Sequence, residues 1–153
     1  MTNKSEAGVI RRAEKLRIPV EYLPASAFKE GKATEQLRKY EADFIVLAGF
    51  LLRIPNDMLE TYPNRIVNIH PSLLPKFGGK GMYGNRVHEA VLEAQEKESG
   101  ITIHYINEHY DEGAIILQAQ CPVVEGDTTD TLANRVHQLE YEHYPKVIEQ
   151  LLT

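Results

Sequence analysis

Asn68-Ile69-His70-Pro71-Ser72-Leu73-Leu74-Pro75 is the stretch on which the reading of this chain turns. It continues the apolar run Arg65-Ile66-Val67, which has the composition of a buried strand over Arg65–Ile69. Asn68 and His70 alternate with period two, so an extended backbone points both to one face. They stand at the strand's C-terminal end, the place where open α/β sheets bind ligands. Two prolines stiffen the exit. An amide and an imidazole held rigidly together suit acid–base chemistry on a carbonyl.

The flanking sequence frames that strand with α/β elements. Asp43-Phe44-Ile45-Val46-Leu47-Ala48-Gly49 is a continuous apolar run and predicts a strand covered on both faces. Upstream, Val9, Ile10, Ala13 and Leu16 recur at helical spacing within Ser5–Leu16, and Pro19 ends that helix. Val20–Leu23 is a short strand candidate, Glu30–Tyr40 a weak amphipathic helix, and Pro55–Glu60 a short helix. Downstream, a glycine-rich loop from Pro75 leads into a helix over Asn85–Glu98, with Gly100 as its stop. Ile101–Tyr105 and Ile115–Gln120 predict an antiparallel hairpin. A last helix is capped by Asp127 or Thr128 and is bent or restarted at Pro145. The fold expected is a single α/β domain over residues 1–153, doubly wound and mostly parallel, with an antiparallel C-terminal hairpin.

Composition narrows the function. The chain has 153 residues, 42% hydrophobic and 25% charged, with a formal charge of −5. Such values describe a globular domain with a core of its own. No Lys/Arg block offers a path for a phosphate backbone, which argues against nucleic acid as partner. No apolar run reaches the roughly 20 residues of a membrane span. The lone Cys121 and an opening without an apolar signal region fit a reducing, cytoplasmic setting. A small-molecule partner is expected.

A third residue completes a reactive constellation. Asp111 lies in the polar turn Asn107–Gly113 between the two hairpin strands. If that turn folds over the end of the Ile66–Ile69 strand, the carboxylate faces His70 and supports its protonated form. Asn68 then donates to a developing oxyanion, a contribution of about 3 kcal/mol in comparable sites. Together the three residues suit acyl transfer between amines. The six histidines lack the i, i+4 pairing of a helical zinc site, so no metal is expected. His88 reads as a solvated helix residue, and Tyr105, Tyr110, Tyr141 and Tyr144 as packing.

Asn-Ile-His-Pro-Ser-Leu-Leu-Pro at 68–75, followed by Tyr-Asp-Glu-Gly-Ala-Ile-Ile-Leu-Gln at 110–118, resembles the folate-dependent formyltransferases. Within them the likeness is to the branch that formylates glycinamide ribonucleotide in purine biosynthesis, and it extends over essentially the whole chain. The resemblance implies 10-formyltetrahydrofolate as co-substrate and Asn68, His70 and Asp111 as catalytic residues. It places the pterin against backbone groups of Leu51, Leu52, Arg53 and Ile54 and of Asn107, Glu108, His109, Tyr110 and Asp111, beside Asn68. It puts Gly49, Pro71 and Glu140 on the substrate side, with Glu140 on the ribose, and implies a cis Leu74–Pro75 bond.

The chain also departs from that family's pattern. The family opens with a strand and a glycine-rich turn that cradles the substrate phosphate, and no counterpart of either is found in this sequence. Gly78-Gly79-Lys80-Gly81 lacks the Gly-Lys-Ser/Thr pattern of a phosphate loop and is expected to be a substrate-side loop instead. An uncovered central edge is expected to be closed by self-association or strand exchange, with weak activity for the chain alone. The alternatives are a 10-formyltetrahydrofolate hydrolase and a catalytically silent folate-binding fragment completed by another chain.

Overall fold

Four strands form one sheet in chain order, β1 (Ile45–Leu47), β2 (Ile66–His70), β3 (Glu98–Tyr105) and β4 (Ile115–Pro122). The computed structural model describes all 153 residues. Six helices surround the sheet: α1 (Gly8–Lys15), α2 (Ala25–Lys29), α3 (Lys32–Lys39), α4 (Asn56–Thr61), α5 (Asn85–Glu93) and α6 (Thr129–Leu152). The expected α/β class and antiparallel hairpin both form. The parallel part is a single ladder, β1 with β2, while β2–β3 and β3–β4 run antiparallel.

Alternation along β2 separates two cores. Ile66 packs with Phe28, Ala33, Ile54, Met58 and Tyr62 from the α2–α4 side. Val67 turns the other way, to Val91, Ile101, Ile103, Leu132, Val136 and Val147 under α5 and α6. Burying each such side chain contributes roughly 1.5–3 kcal/mol, so the α5/α6 face anchors the sheet. Asn68 and His70 share the phase of Ile66, and the α2–α4 core ends where they begin.

Helix α6 is held at both ends of its buried stripe. Thr128 Oγ1 accepts from the Thr131 amide at 3.2 Å, and Thr131 Oγ1 accepts from the Thr128 amide at 2.9 Å. This reciprocal cap satisfies two orphan donors. Pro145 neither breaks nor restarts the helix, which runs on to Leu152. One residue earlier, the Tyr144 hydroxyl donates to Leu47 O at 2.7 Å and pins α6 to β1.

Several expectations fail for identifiable reasons. β1 is not covered on both faces: it is the sheet's edge, and Val46 is 40% exposed. An apolar run reports the burial a strand is suited to, while its neighbours decide what it receives. Val20–Leu23 forms no strand of the sheet, only an isolated parallel bridge between Thr2 and Tyr22. The α5 helix ends at Glu93, with Gln95 in the left-handed region, and β3 begins at Glu98. Gly100 therefore lies inside β3. A side chain there would collide with Ala119 O and crowd Leu73, so the glycine serves close strand packing.

Candidate active site

The octapeptide leaves β2 through a turn locked by one hydroxyl. Thr102, across the ladder from His70, donates to Ser72 O at 2.7 Å and accepts from the Leu74 amide at 3.0 Å and from Gln118 Nε2 at 2.9 Å. One donor and two lone pairs are thus all used in a buried setting. Gln118 also donates to Leu74 O, and the Leu74–Pro75 bond is cis, as the resemblance implied. The lock holds the chain just past His70.

His70 is buried, and its Nε2 lies 2.8 Å from Phe77 O. A carbonyl only accepts, so Nε2 carries a hydrogen. The proton that can come and go therefore belongs to Nδ1, which faces Asp111 Oδ2 at 3.6 Å. The Asp111 turn reaches this position by doubling back. It leaves β3 beside the start of β2, where Ile106 donates to Ile66 O, and returns along the sheet face to His70. Gly113 permits the fold-back, since any Cβ there would overlap Tyr105 O. Asp111 itself adopts φ +57°, a strained conformation for a side-chain-bearing residue. Its Oδ2 accepts from the Gly79 amide at 2.9 Å, tying the glycine-rich loop to the site.

The sequence reading missed His104. It is fully buried and stands directly across the ladder from Asn68. Nδ1 donates to Tyr105 O at 2.9 Å, so Nε2 is free to accept from Asn68 Nδ2 at 3.4 Å. That contact orients the Asn68 amide and leaves its second N–H for another acceptor. Burial pushes the His104 pKa down, which keeps the ring neutral and its acceptor intact. Asp111 Oδ1 lies 3.7 Å from His104 Nε2, so one carboxylate spans both imidazoles. The signal was present in the alternation Ile101–Tyr105, where an even-phase His faces the same side as Asn68.

Two clefts meet at these residues. The larger, of about 860 Å³, is lined by Gly49, Asn68, His70, Pro71, Asp111 and Glu140. The smaller is walled by Leu52, Arg53 and Ile54 on one side and by Asn107, Glu108, His109, Tyr110 and Asp111 on the other, with Asn68 at its base. Leu51 lines an adjoining apolar pocket with Phe28 and Tyr110. The two clefts share Phe50, Asn68, Tyr110 and Asp111, and Leu51 lines the larger one as well. Glu140 is half-buried, and burial raises its pKa. His88 is 1% exposed and not solvated as expected, while Tyr110 and Tyr141, expected to pack, are 41% and 70% exposed and lie outside the core.

The profile of one family, formyl transferase, matches residues 1–148. The chain belongs to the formyl transferase family. Among named formyl transferases, it is 43% identical over 154 residues to the chloroplastic phosphoribosylglycinamide formyltransferase of Arabidopsis thaliana, covering 97% of this chain and 53% of that protein. The Bacillus subtilis phosphoribosylglycinamide formyltransferase is 41% identical, with 98% and 77% covered. A crystal structure of the Bacillus halodurans phosphoribosylglycinamide formyltransferase superposes with a TM-score of 0.89 at 37% identity, over 99% of this chain and 78% of that one. The chain thus spans about half the length of the plant relatives and about three quarters of the bacterial ones. No helix of this formyl transferase is long and apolar enough to cross a membrane.

Proposed function

We propose that this chain transfers a formyl group from 10-formyltetrahydrofolate to the amine of glycinamide ribonucleotide. The observation that carries the reading is the convergence of Asn68, His70 and Asp111 where the two clefts join. The names of the relatives support the choice of substrate. In this reading the pterin lies between residues 51–54 and 107–111, and the amine enters past Gly49 and Pro71. Glu140 takes the ribose hydroxyls. A cytoplasmic setting and the absence of a bound metal belong to the same proposal.

The chemistry follows from the hydrogen-bond assignments. The amine attacks the formyl carbon, and the carbonyl oxygen becomes an oxyanion. The free N–H of Asn68, its direction set by His104, donates to that oxygen. His70 moves the proton through Nδ1, and Asp111 Oδ2, 3.6 Å away, orients that side of the ring. The attacking nitrogen loses a proton, N10 of the folate gains one, and the bond between N10 and the formyl carbon breaks. The products are the formylated amine and tetrahydrofolate.

The test is a single-turnover assay with both substrates, following the formylated amine and tetrahydrofolate by mass spectrometry. Formation of both in equal amounts supports transfer. Release of formate at the same rate without the amine would replace transfer by hydrolysis.

A further inference from the structure

Helix α6 carries a local weak point in the turn that borders the large cleft at Tyr144 and Pro145. Pro145 has no N–H to give Tyr141 O, and its ring disfavours a helical backbone at Tyr144. The helix nevertheless runs unbroken from Thr129 to Leu152, so contacts from outside it hold this turn. The side-chain hydrogen bond of Tyr144 falls at that point.

Tyr144 is 8% exposed, and its hydroxyl hydrogen is shared between Leu47 O at 2.7 Å and Val67 O at 3.3 Å. Leu47 stands opposite Asn68 in the parallel ladder, so the phenol closes the last rung that β1 and β2 share. It makes the one side-chain hydrogen bond to β1, a three-residue strand paired on one side only. Burial pushes the phenol pKa up, so the group keeps its proton and remains a donor. Its single hydrogen is committed to backbone, which leaves none to give a substrate.

Both anchored carbonyls immediately precede a site element. Leu47 leads into Ala48-Gly49 and Val67 into Asn68, and these residues border the large cleft. On α6, Glu140 borders the same cleft four residues before Tyr144, on the same helix face and about 6 Å along the axis. One hydroxyl therefore ties the helix that carries Glu140 to the strand ends that carry Gly49 and Asn68.

We propose that Tyr144 is a positioning residue: its hydroxyl sets Glu140 against Gly49 and Asn68 and thereby places the amine substrate over the formyl carbon. The role rests on the formyl-transfer reading, in which Glu140 holds the ribose. Without the bond the turn at Pro145 shifts, Glu140 moves with it, and the amine no longer lines up with Asn68.

The test is a double-mutant cycle of Tyr144→Phe with Glu140→Gln in the full chain. It is read by calorimetric affinity for glycinamide ribonucleotide and for a folate analogue, and by single-turnover transfer. Phe fills the same core space and deletes only the hydroxyl. Tyr144→Phe is expected to weaken glycinamide ribonucleotide binding about tenfold, as loss of a well-placed bond to a carboxylate does. Transfer at saturating substrates should slow roughly 10- to 100-fold, and affinity for the folate analogue should stay unchanged. In the Glu140→Gln background the same change should alter ribonucleotide affinity by less than about twofold, because the group it acts through is gone. Unchanged ribonucleotide affinity in Tyr144→Phe would overturn the proposal, as would an equal loss in both backgrounds. A Tyr144→Phe chain that no longer unfolds cooperatively would assign the bond to folding and overturn it too. An unmodified chain that binds the ribonucleotide but transfers no formyl group would remove the formyl-transfer reading, while the affinity cycle would still support or overturn Tyr144.

Discussion

The first 46 residues and the β2–α6 region are both apolar in pattern, yet outside the buried faces of α2 and α3 the first is far less covered. Helix α1 has no buried residue, and Val9, Leu16, Ile18, Tyr22 and Val46 all expose large apolar surface. Ile101, Ile103, Leu132 and Val136 are completely buried between the sheet and α6. Hydrophobic periodicity therefore states which face of an element is suited to burial, and tertiary neighbours determine whether it is buried. The reacting groups belong to the second region, the segment between the two supplies the wall at residues 49–54, and only Arg12 reaches the large cleft from the first.

The largest effect should fall on chemistry alone. His70→Ala is expected to lower the rate of formyl transfer by roughly 100- to 10,000-fold, the usual worth of a positioned acid–base group. A loss below tenfold in single-turnover assays would remove His70 from the reaction. Thermal unfolding of the same variant separates this from collapse of the Phe77 contact.

Packing predicts the next contrast. Ile103→Ala should destabilise by about 2–5 kcal/mol, because a fully buried side chain leaves a cavity. Leu16→Ala, at a position 68% exposed, should stay within about 0.5 kcal/mol. Urea midpoints for the two variants test this directly, and equal losses would mean that α1 is covered in solution.

Gly113→Ala probes the fold-back of the Asp111 turn. Its methyl group meets Tyr105 O, so a loss of about 1–3 kcal/mol is expected together with displacement of Asp111. Activity should fall further than stability does, since the turn positions the carboxylate. Equal activity in a stable variant would show that Asp111 needs no such placement.

How much of this was legible follows the same division. The octapeptide announced a strand that ends in Asn68 and His70, and period two put them on one face. The downstream turn supplied Asp111, although its path back along β2 was not legible, because Gly113 reveals a close approach only once Tyr105 is in place. His104 was hidden because nothing in a strand's own sequence names the residue across the ladder. His88 was misread because α5 shows one apolar stripe, and the cover α6 adds over its flank is a tertiary fact. Nothing in Asp43–Gly49 itself named β1 as an edge; an uncovered edge was expected only from the resemblance.

The smallest effect should appear as a pH dependence of stability confined to the packed region. His88 and His104 are both held neutral by burial, with pKa values below their ordinary 6.5. Below about pH 6.5 the unfolded chain binds protons that the folded protein refuses, so stability falls as pH drops through that window. Glu140 acts in the opposite sense above its ordinary 4.5, because burial raises its pKa and the folded state retains the proton longer. Below about 3.8 a separate loss begins at Asp127, whose carboxylate is held ionised by Arg135. Denaturation of the His104→Asn variant isolates the contribution under the active site: its stability should lose part of the slope between pH 6.5 and 5, while the acid limb from Asp127 stays. An unchanged slope would mean that the His104 ring accepts a proton when folded as readily as when unfolded, and the acceptor that orients Asn68 would then be absent at mildly acid pH.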